Sequence, residues 1–372
     1  MFSFFSKIKN FFSQKALREK YERYERHLSS GALIFGFILD NLTLRRIDRL
    51  FENIVLFGYL FLAAFGIIFL NIIEARNVRE NEYSGWHTFF LLLIQFSFGA
   101  LFSAFFIFYI RSSSLAASWP FILLLLTLLI GNEFFKQKYI RLSFQVTVYF
   151  VTLFSFLIFY VPIIVGTMGV WIFLVSGLIS LILITAFLYL LRWAVPLKFK
   201  ESKQYLILGI GGFFIALNLL YFANIIPPIP LSLKDAEVFH FVDRNEKGEY
   251  IAQDEKDSWY EHFVFFDRIH IRRDQPVYVF SAVFAPTRLN TNIVHKWQYF
   301  DYTINRWATA STIEFPIVGG EDGGYRGYST KSSLTEGDWR VNIETRQGQV
   351  IGRVKFRVIY SENKPVIETK TL

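Results

Sequence analysis

The sequence predicts an α-helical membrane bundle of about seven spans followed by an all-β, immunoglobulin-like sandwich domain. Three observations carry that prediction. The 372-residue chain is 53% hydrophobic and holds 44 Phe, more apolar surface than a water-soluble chain of this length carries. The long apolar runs stop near residue 230, and beyond them apolar and polar residues alternate, the period of half-buried strands. The charge divides at the same place: residues 1–230 hold 20 Lys/Arg against 11 Asp/Glu, and residues 231–372 hold 19 against 20. The basic excess belongs to the apolar half, where it orients helices in a bilayer and speaks against nucleic-acid binding. The chain has no Cys, so no disulfide holds the second half; its 142 residues are enough to bury a core without one.

Residues 1–27 form the expected cytoplasmic tail. MFSFFSKIKNFFSQK lacks the apolar region and small-residue cleavage site of a signal peptide. Phe2, Phe4, Phe5, Phe11 and Phe12 beside Lys7, Lys9 and Lys15 fit a helix lying on an anionic leaflet. A tail with chance aromatics is the other reading, and the residues alone leave both open.

Spans are expected near residues 28–44, 54–73, 88–110, 112–130, 142–165, 170–191 and 205–225, judged against the roughly 17–25 residues a helix needs to cross hydrocarbon. The first is short and contains Asp40. It is kept because of the basic residues: with it crossing, 16 of the 20 Lys/Arg in this half face inside and 4 face outside; without it the two sides are nearly equal. Cytoplasmic loops carry the excess of Lys and Arg, so seven spans with the β domain outside the cytoplasm is the expected topology. Asp40, Arg45, Arg46 and Asp48 then sit at the outer mouth of the bundle. An intramembrane ionisable residue is a site hypothesis by default; a helix-end Asp reaching water is the plainer reading of Asp40.

Other bundle features read as packing. Ser97, Gly99, Ala100, Ser103 and Ala104 put small residues on one helix face. Gly209, Gly211 and Gly212 are expected to interrupt the last span, and Asn132 and Glu133 to lie on an inner loop. The exit NIIPPIPLSLK, with its proline-rich part at 227–234, predicts a stiff polyproline spacer leading into a soluble domain at 235–372.

In that domain GDWRVNIET sets Trp339, Val341 and Ile343 against Asp338, Arg340, Asn342 and Glu344. VIGRVKFRVI sets Val354, Phe356 and Val358 against Arg353, Lys355 and Arg357. Gly348 between them predicts a hairpin. HFVFFDRIHIR, PVYVFSAVFA, VHKWQYFDY and TIEFPIV extend the pattern to about eight strands, hence an antiparallel sandwich centred on Trp297 or Trp339. The glycine-rich stretch from Gly319 lacks G-x-x-x-x-G-K-[ST] and precedes no helical pattern, so it is not a nucleotide loop. It connects strands, or it supplies a site in which Arg326 and Lys331 meet an anionic group and Trp307, Tyr325 and Tyr328 offer flat apolar faces. Residues 243–254 resemble a calcium loop but put Lys247 at a ligand position, so a hairpin is expected. His240, His262, His270 and His295 lack zinc spacing. No metal, cofactor or catalytic constellation is expected.

Taken together, GFILDNLTLRRID, NIIPPIPLSLK and KWQYFD…GGYRGYSTKSS…GDWRVNIETRQGQV…FRV resemble a family of uncharacterised bacterial multi-span membrane proteins with a C-terminal domain of unknown function, the 2914 family. The likeness spans nearly the whole chain and is most specific at Trp297 and Tyr325–Phe356. It implies a cell-envelope protein of the bacterial inner membrane with a periplasmic domain, and it carries over no activity and no catalytic residue. The expected function is binding of an envelope component, whether glycan, lipid head group or protein, by the β domain. The alternative gives the work to the bundle, as a transporter or enzyme for a lipid-linked or small envelope substrate. The bilayer is the one partner both readings share.

Overall fold

The computed structural model describes residue 38 and residues 49–76, 85–112, 115–134, 141–246, 248–255, 267–287, 289–320, 323–363 and 365–372. The tail expected at 1–27 and the span expected at 28–44 lie outside the described residues apart from Ile38, as do Asp40, Arg45, Arg46 and Asp48.

Among the described residues six helices come first: α1 (Leu50–Arg76), α2 (Gly85–Arg111), α3 (Leu115–Phe134), α4 (Leu142–Val165), α5 (Val170–Ala194) and α6 (Pro196–Phe222). Five of them are long and apolar enough to cross a membrane; the exception is α3, whose apolar stretch is shorter. α4 lies at the centre, packed by α1, α2, α5 and α6. Its Phe150, Phe154, Phe156 and Phe159 are fully buried beside Phe98, Phe102 and Phe105 of α2. Phenylalanine suits this place because it fills large volumes with no polar atom to satisfy. Phe154 stacks on Phe214 of α6 at 5.6 Å between ring centroids. The outer helices instead expose Leu178, Ile182, Tyr189, Ile207, Leu208 and Ile215, an apolar exterior that fits lipid rather than water.

Three expectations about the bundle are corrected. Residues 192–204 are not a loop: α5 ends at Ala194, and α6 begins at Pro196 after the single residue Val195, because proline is at ease in the first turn of a helix. The glycines do not interrupt α6, which runs unbroken to Phe222. Gly209 is needed for contact with α4, since a Cβ there would lie 2.2 Å from Thr147 Oγ1. Asn132 is not on a loop but buried at the end of α3, where its amide donates to the Gln95 carbonyl and accepts the Gln95 amide on its own carbonyl, at 3.0 and 3.1 Å.

The exit is also not an extended spacer. Residues 226–230 are buried, closed by turns in which Ile229 N–H donates to Pro227 O and Leu231 N–H to Pro228 O. Ile226 and Ile229 pack into the helical core and Leu231 into the β core. The β domain is seated directly on the bundle: Asn290 N–H donates to Gly166 O at the α4–α5 turn, and Gln349 Nε2 to Ile226 O.

Eleven strands follow among the described residues: β1 (Ser232–Phe239), β2 (Phe241–Arg244), β3 (Tyr250–Glu255), β4 (Asp267–Ile271), β5 (Val277–Phe284), β6 (Asn290–Asp301), β7 (Arg306–Val318), β8 (Tyr325–Lys331), β9 (Gly337–Thr345), β10 (Val350–Tyr360) and β11 (Ile367–Thr371). They make a five-stranded sheet in the order β4-β10-β9-β6-β7 and two three-stranded sheets, β1-β5-β8 and β11-β3-β2. All pairs are antiparallel except β4 with β10, which corrects the wholly antiparallel expectation. The expected hairpin at 243–254 is formed by β2 and β3.

The five-stranded sheet faces β1-β5-β8 across a core of Trp297, Trp339, Val341, Ile343 and Phe356 with Val279 and Val283. Both tryptophans named from the sequence are in it. A second core, Phe239, Val242, Ala252, Phe280 and Ala282, lies between β1-β5-β8 and the β11-β3-β2 sheet. The domain therefore has three layers, and β5 is apolar on both faces because both are covered, as a middle strand must be.

His295 of β6 joins the first two layers. It is fully buried; Ser281 Oγ lies 2.8 Å from its Nε2 and Ser329 Oγ 2.8 Å from its Nδ1, and Trp297 Nε1 donates to the same Ser329 Oγ at 3.0 Å. Burial pushes the imidazole down to about 4, so it is neutral at physiological pH, its polarity met by two hydroxyls.

Candidate functional site

The five residues singled out in the β domain do not form one site. Strand alternation places Tyr325 and Lys331 on the face of β8 that carries Ser329, and Arg326 and Tyr328 on the other. Tyr325 packs against the first core. Tyr328 packs in the second, 5.9 Å from Tyr278 and 6.3 Å from Tyr250 between ring centroids. Arg326 donates to Leu372 O at 3.0 Å, and its own carbonyl accepts from Tyr250 Oη. Arg326 and Tyr328 are structural because a third layer covers them, and no periodicity in the sequence announced that layer. The glycines of this stretch serve close approach: a Cβ on Gly319 would meet Pro286 O at 1.7 Å, and Gly324 has φ +87°. The strand-connection reading therefore describes the segment.

Trp307 falls elsewhere, on the outer face of the five-stranded sheet. Its register partner is Phe300, whose ring stands 5.3 Å away, and the Arg340 guanidinium lies 4.4 Å from the Trp307 ring centroid. From Arg340 a chain of polar contacts joins four strands. Arg340 Nε donates to Gln298 Oε1 at 2.8 Å, Gln298 Nε2 donates to Thr309 Oγ1 at 3.2 Å, Asn342 Nδ2 reaches Gln298 Oε1 at 3.4 Å, and Arg353 Nε donates to Asn342 Oδ1 at 2.6 Å. Lys296 pairs with Glu344 at 3.6 Å. Toward the edge, Arg357 and Tyr302 both donate to Asp338, at 2.6 and 2.8 Å.

The electrostatics of this face follow from crowding. Burial, with Arg353 nearby, pulls the Arg340 guanidinium down to about 10. Burial lowers Arg353 as well, and it raises the Glu344 carboxyl. The face is thus a half-buried cationic lattice beside an indole, with Gln298 and Asn342 holding the guanidinia in place. Guanidinia fixed this way suit carboxylate or phosphate, and an aromatic plane suits a sugar ring. The alternation in GDWRVNIET and VIGRVKFRVI already set Arg340, Asn342, Arg353 and Arg357 outward. The bulge at Trp297/Gln298, which fixes the register of Gln298, Thr309 and Trp307, had no sequence signal.

Two further clusters went unread. At the bundle end far from the β domain, Glu74 of α1 is gripped by His87 of α2 at 2.8 Å and by Lys198 of α6. Lys198 also reaches Asn71 Oδ1 at 3.2 Å, and Asn71 Nδ2 donates to Gln145 Oε1 of α4 at 2.7 Å. In the β domain Glu255 lies between His240 and His270, at 2.8 Å each. The histidines were dismissed for lack of zinc spacing, and they meet a carboxylate from a third strand. Among the described residues no three ligand side chains are disposed to hold a metal ion.

Comparison with known proteins adds little beyond one region. No curated protein matches the chain. A β-glucosidase from Listeria innocua, solved with isofagomine, is 12% identical over 37% of this chain and 18% of its own, with a TM-score of 0.18. The alkylpurine DNA glycosylase AlkC of Pseudomonas fluorescens, solved with DNA holding an abasic-site analogue, is 8% identical over 84% of this chain and 99% of its own, at 0.21. At those scores neither likeness bears on fold or function. The informative match is to a family: residues 290–358, the segment from β6 to β10 that builds the Trp307–Arg340 face, match the model described as a protein of unknown function, DUF2914.

Proposed function

We propose that this chain is a polytopic protein of the bacterial inner membrane whose periplasmic β domain binds an envelope component through the outer face of the five-stranded sheet. The observation that carries the reading is Arg340, set over Trp307 and held by Gln298 in a row with Arg353. Of glycan, lipid head group and protein partner, a glycan bearing acid groups fits that pairing best, since the indole meets the ring and the guanidinia meet the acid. In this reading the two larger sheets are an immunoglobulin-like sandwich with an added layer.

The topology is part of the proposal. The α4–α5 turn and the α6 exit both meet the β domain. If all six described helices cross, Arg49 before α1 lies on the domain's side of the membrane. A seventh span at 28–44 then carries the basic tail to the opposite side, as the positive-inside rule requires, with Asp40, Arg45, Arg46 and Asp48 at the outer mouth. A reporter fused after Leu372 that is active only in the cytosol removes this reading.

For the binding role, the wild-type chain and the Trp307→Ala/Arg340→Ala double variant are purified from the same membranes and their bound lipid and glycan compared by mass spectrometry. An acid-bearing species present in the first and missing from the second is expected; identical profiles end the proposal. A second reading, in which the bundle moves a substrate, rests on the half-buried Glu74–His87–Lys198 cluster, because ion pairs inside a bundle mark pathways. It gains if Glu74→Gln abolishes the cellular phenotype while the double variant leaves it intact.

A further inference from the structure

Where the tip of the five-stranded sheet meets the small third layer, a cleft of about 540 Å³ opens, lined by His240, His270, Arg272, Arg273, Asp274 and Gln275 among others. It lies apart from the Trp307–Arg340 face. We propose that this cleft binds a phosphate monoester or a like dianion, with Arg272 and Arg273 as its cationic walls and the His270 Nε2 as its hydrogen-bonding contact.

The hydrogen bonds fix which nitrogen is free. Arg272 N–H donates to Gln275 Oε1 at 3.1 Å, so the Gln275 amide nitrogen is the atom that faces His240 Nδ1 at 3.5 Å. An amide nitrogen only donates, which makes His240 Nδ1 the acceptor and puts the His240 proton on Nε2, where it is given to Glu255 Oε1 at 2.8 Å. The other Glu255 oxygen takes the His270 Nδ1 proton at 2.8 Å, and Glu255 Oε1 also accepts the His270 main-chain N–H at 2.5 Å. Burial works to raise the Glu255 carboxyl, but donation from His240 and from the His270 main chain and ring outweighs it and holds the group below the usual carboxylate range. A charged carboxylate thus orients the His270 ring from behind. With Nδ1 committed, Nε2 is the nitrogen left to the cleft, and the His270 side chain is 38% exposed there.

The walls are set too. Arg272 Nη2 donates to Glu362 O at 3.4 Å, and the Arg273 guanidinium lies 5.6 Å from the Tyr360 ring centroid. The opposing charge is Asp274, whose Oδ1 accepts from Ser333 Oγ at 3.2 Å. Among the described residues the remaining lining is Ser361, Asn363, Pro365 and Ile367, none of them charged. Two guanidinia and a free ring nitrogen, with Asp274 occupied by Ser333 and Glu255 by the two histidines, favour an anion with several acceptor oxygens.

Sulfate, a dianion of the same tetrahedral shape, is the first probe. Calorimetric titration of the full chain in detergent at neutral pH is expected to show saturable binding. In Arg272→Gln/Arg273→Gln it falls at least about tenfold, and His270→Phe, which removes the ring nitrogen facing the cleft, weakens it measurably. Both arginines are exposed, so the double variant folds. No saturable binding by the wild type, or unchanged binding in the arginine variant or in His270→Phe, overturns the proposal. Glycerol 3-phosphate and phosphatidylcholine vesicles doped with phosphatidic acid then separate a soluble ligand from a lipid head group, through the phosphate monoester they share.

Discussion

The helical bundle and the β domain both bury polar side chains, and they satisfy them in opposite ways. In the bundle the partner is usually one turn away on the same helix: Ser97 donates to Leu93 O, Ser176 to Ile172 O, Asn71 to Ile67 O and Asn218 to Phe214 O, each at 2.8 Å. A helix carbonyl keeps a lone pair free beside its ladder bond. In the β domain the partner comes from another strand, as with His295 and Ser329, 34 residues apart, or Asn342 and Arg353 across β9 and β10. Local satisfaction tolerates sequence change; satisfaction between strands ties distant residues to one register. The β domain is therefore the part whose single substitutions should cost most.

Trp297→Ala tests that contrast where it is largest. The indole is fully buried and its Nε1 is bonded to Ser329. Removing a large buried aromatic costs roughly 3–5 kcal/mol, enough to unfold a marginal domain. Limited proteolysis is expected to cut the β domain of the variant while the helices stay protected. Trp297→Phe, which keeps most of the volume, should cost about 1 kcal/mol for the lost hydrogen bond. Equal loss in both variants breaks the argument that volume dominates.

Acid is the next lever. His295 has a folded value of about 4, below the roughly 6.5 of an unfolded histidine. A depressed value gives stability that is complete above the unfolded value and lost as pH falls through the folded one. The loss, about 3 kcal/mol by linkage, should run between pH 6.5 and 4 and be absent from His295→Asn. Glu255, also held low, contributes with the same sign, and its share disappears only below the ordinary carboxylate range. Denaturant titrations of the β-domain transition at pH 8, 6 and 4 check both; a His295→Asn profile as steep as the wild type's removes His295 as the source.

These two residues also show what the sequence made legible. Trp297 stood out because a disulfide-free sandwich needs one large buried side chain, and the alternation around it fixed its face. His295 shares that face in VHKWQYFDY, yet its serine partners lie in other segments, and nothing local pairs them. The same holds for the site. Outward Arg340 and Arg353 were visible from the period-two pattern, whereas their convergence on Gln298 and Trp307 depends on a bulge. Arg326 and Tyr328 misled because a strand read as half-exposed is covered by β11-β3-β2. PVYVFSAVFA held the warning: apolar residues at consecutive positions mean burial on both faces.

In the bundle, tight helix contact replaces long-range bonding, and Gly209 measures it. A Cβ at Gly209 would stand 2.2 Å from Thr147 Oγ1, so Gly209→Ala forces α6 from α4 at a cost of roughly 1–3 kcal/mol. Thr147→Gly/Gly209→Ala should recover most of it. Thermal melts of the detergent-solubilised chain check this; a double variant no better than the single one shows that the helices had no contact to lose.

The smallest effect expected comes from a place where the bundle behaves like the β domain, as it also does at Asn132–Gln95 and Asn71–Gln145. Glu74, His87 and Lys198 are drawn from three helices, so neither lysine nor carboxylate can be satisfied within its own turn. Removing one partner leaves a charge unpaired, which in a fully buried pair costs several kcal/mol. Here the Lys198 side chain is 30% exposed, and solvent screening brings the expected cost of Glu74→Gln to about 1–2 kcal/mol. Lys198→Met should cost less, since His87 still faces Glu74 at 2.8 Å. The double variant should be closer to wild type than the sum of the two, because it leaves no unpaired charge. Strict additivity in thermal melts means the cluster is a set of solvated neighbours.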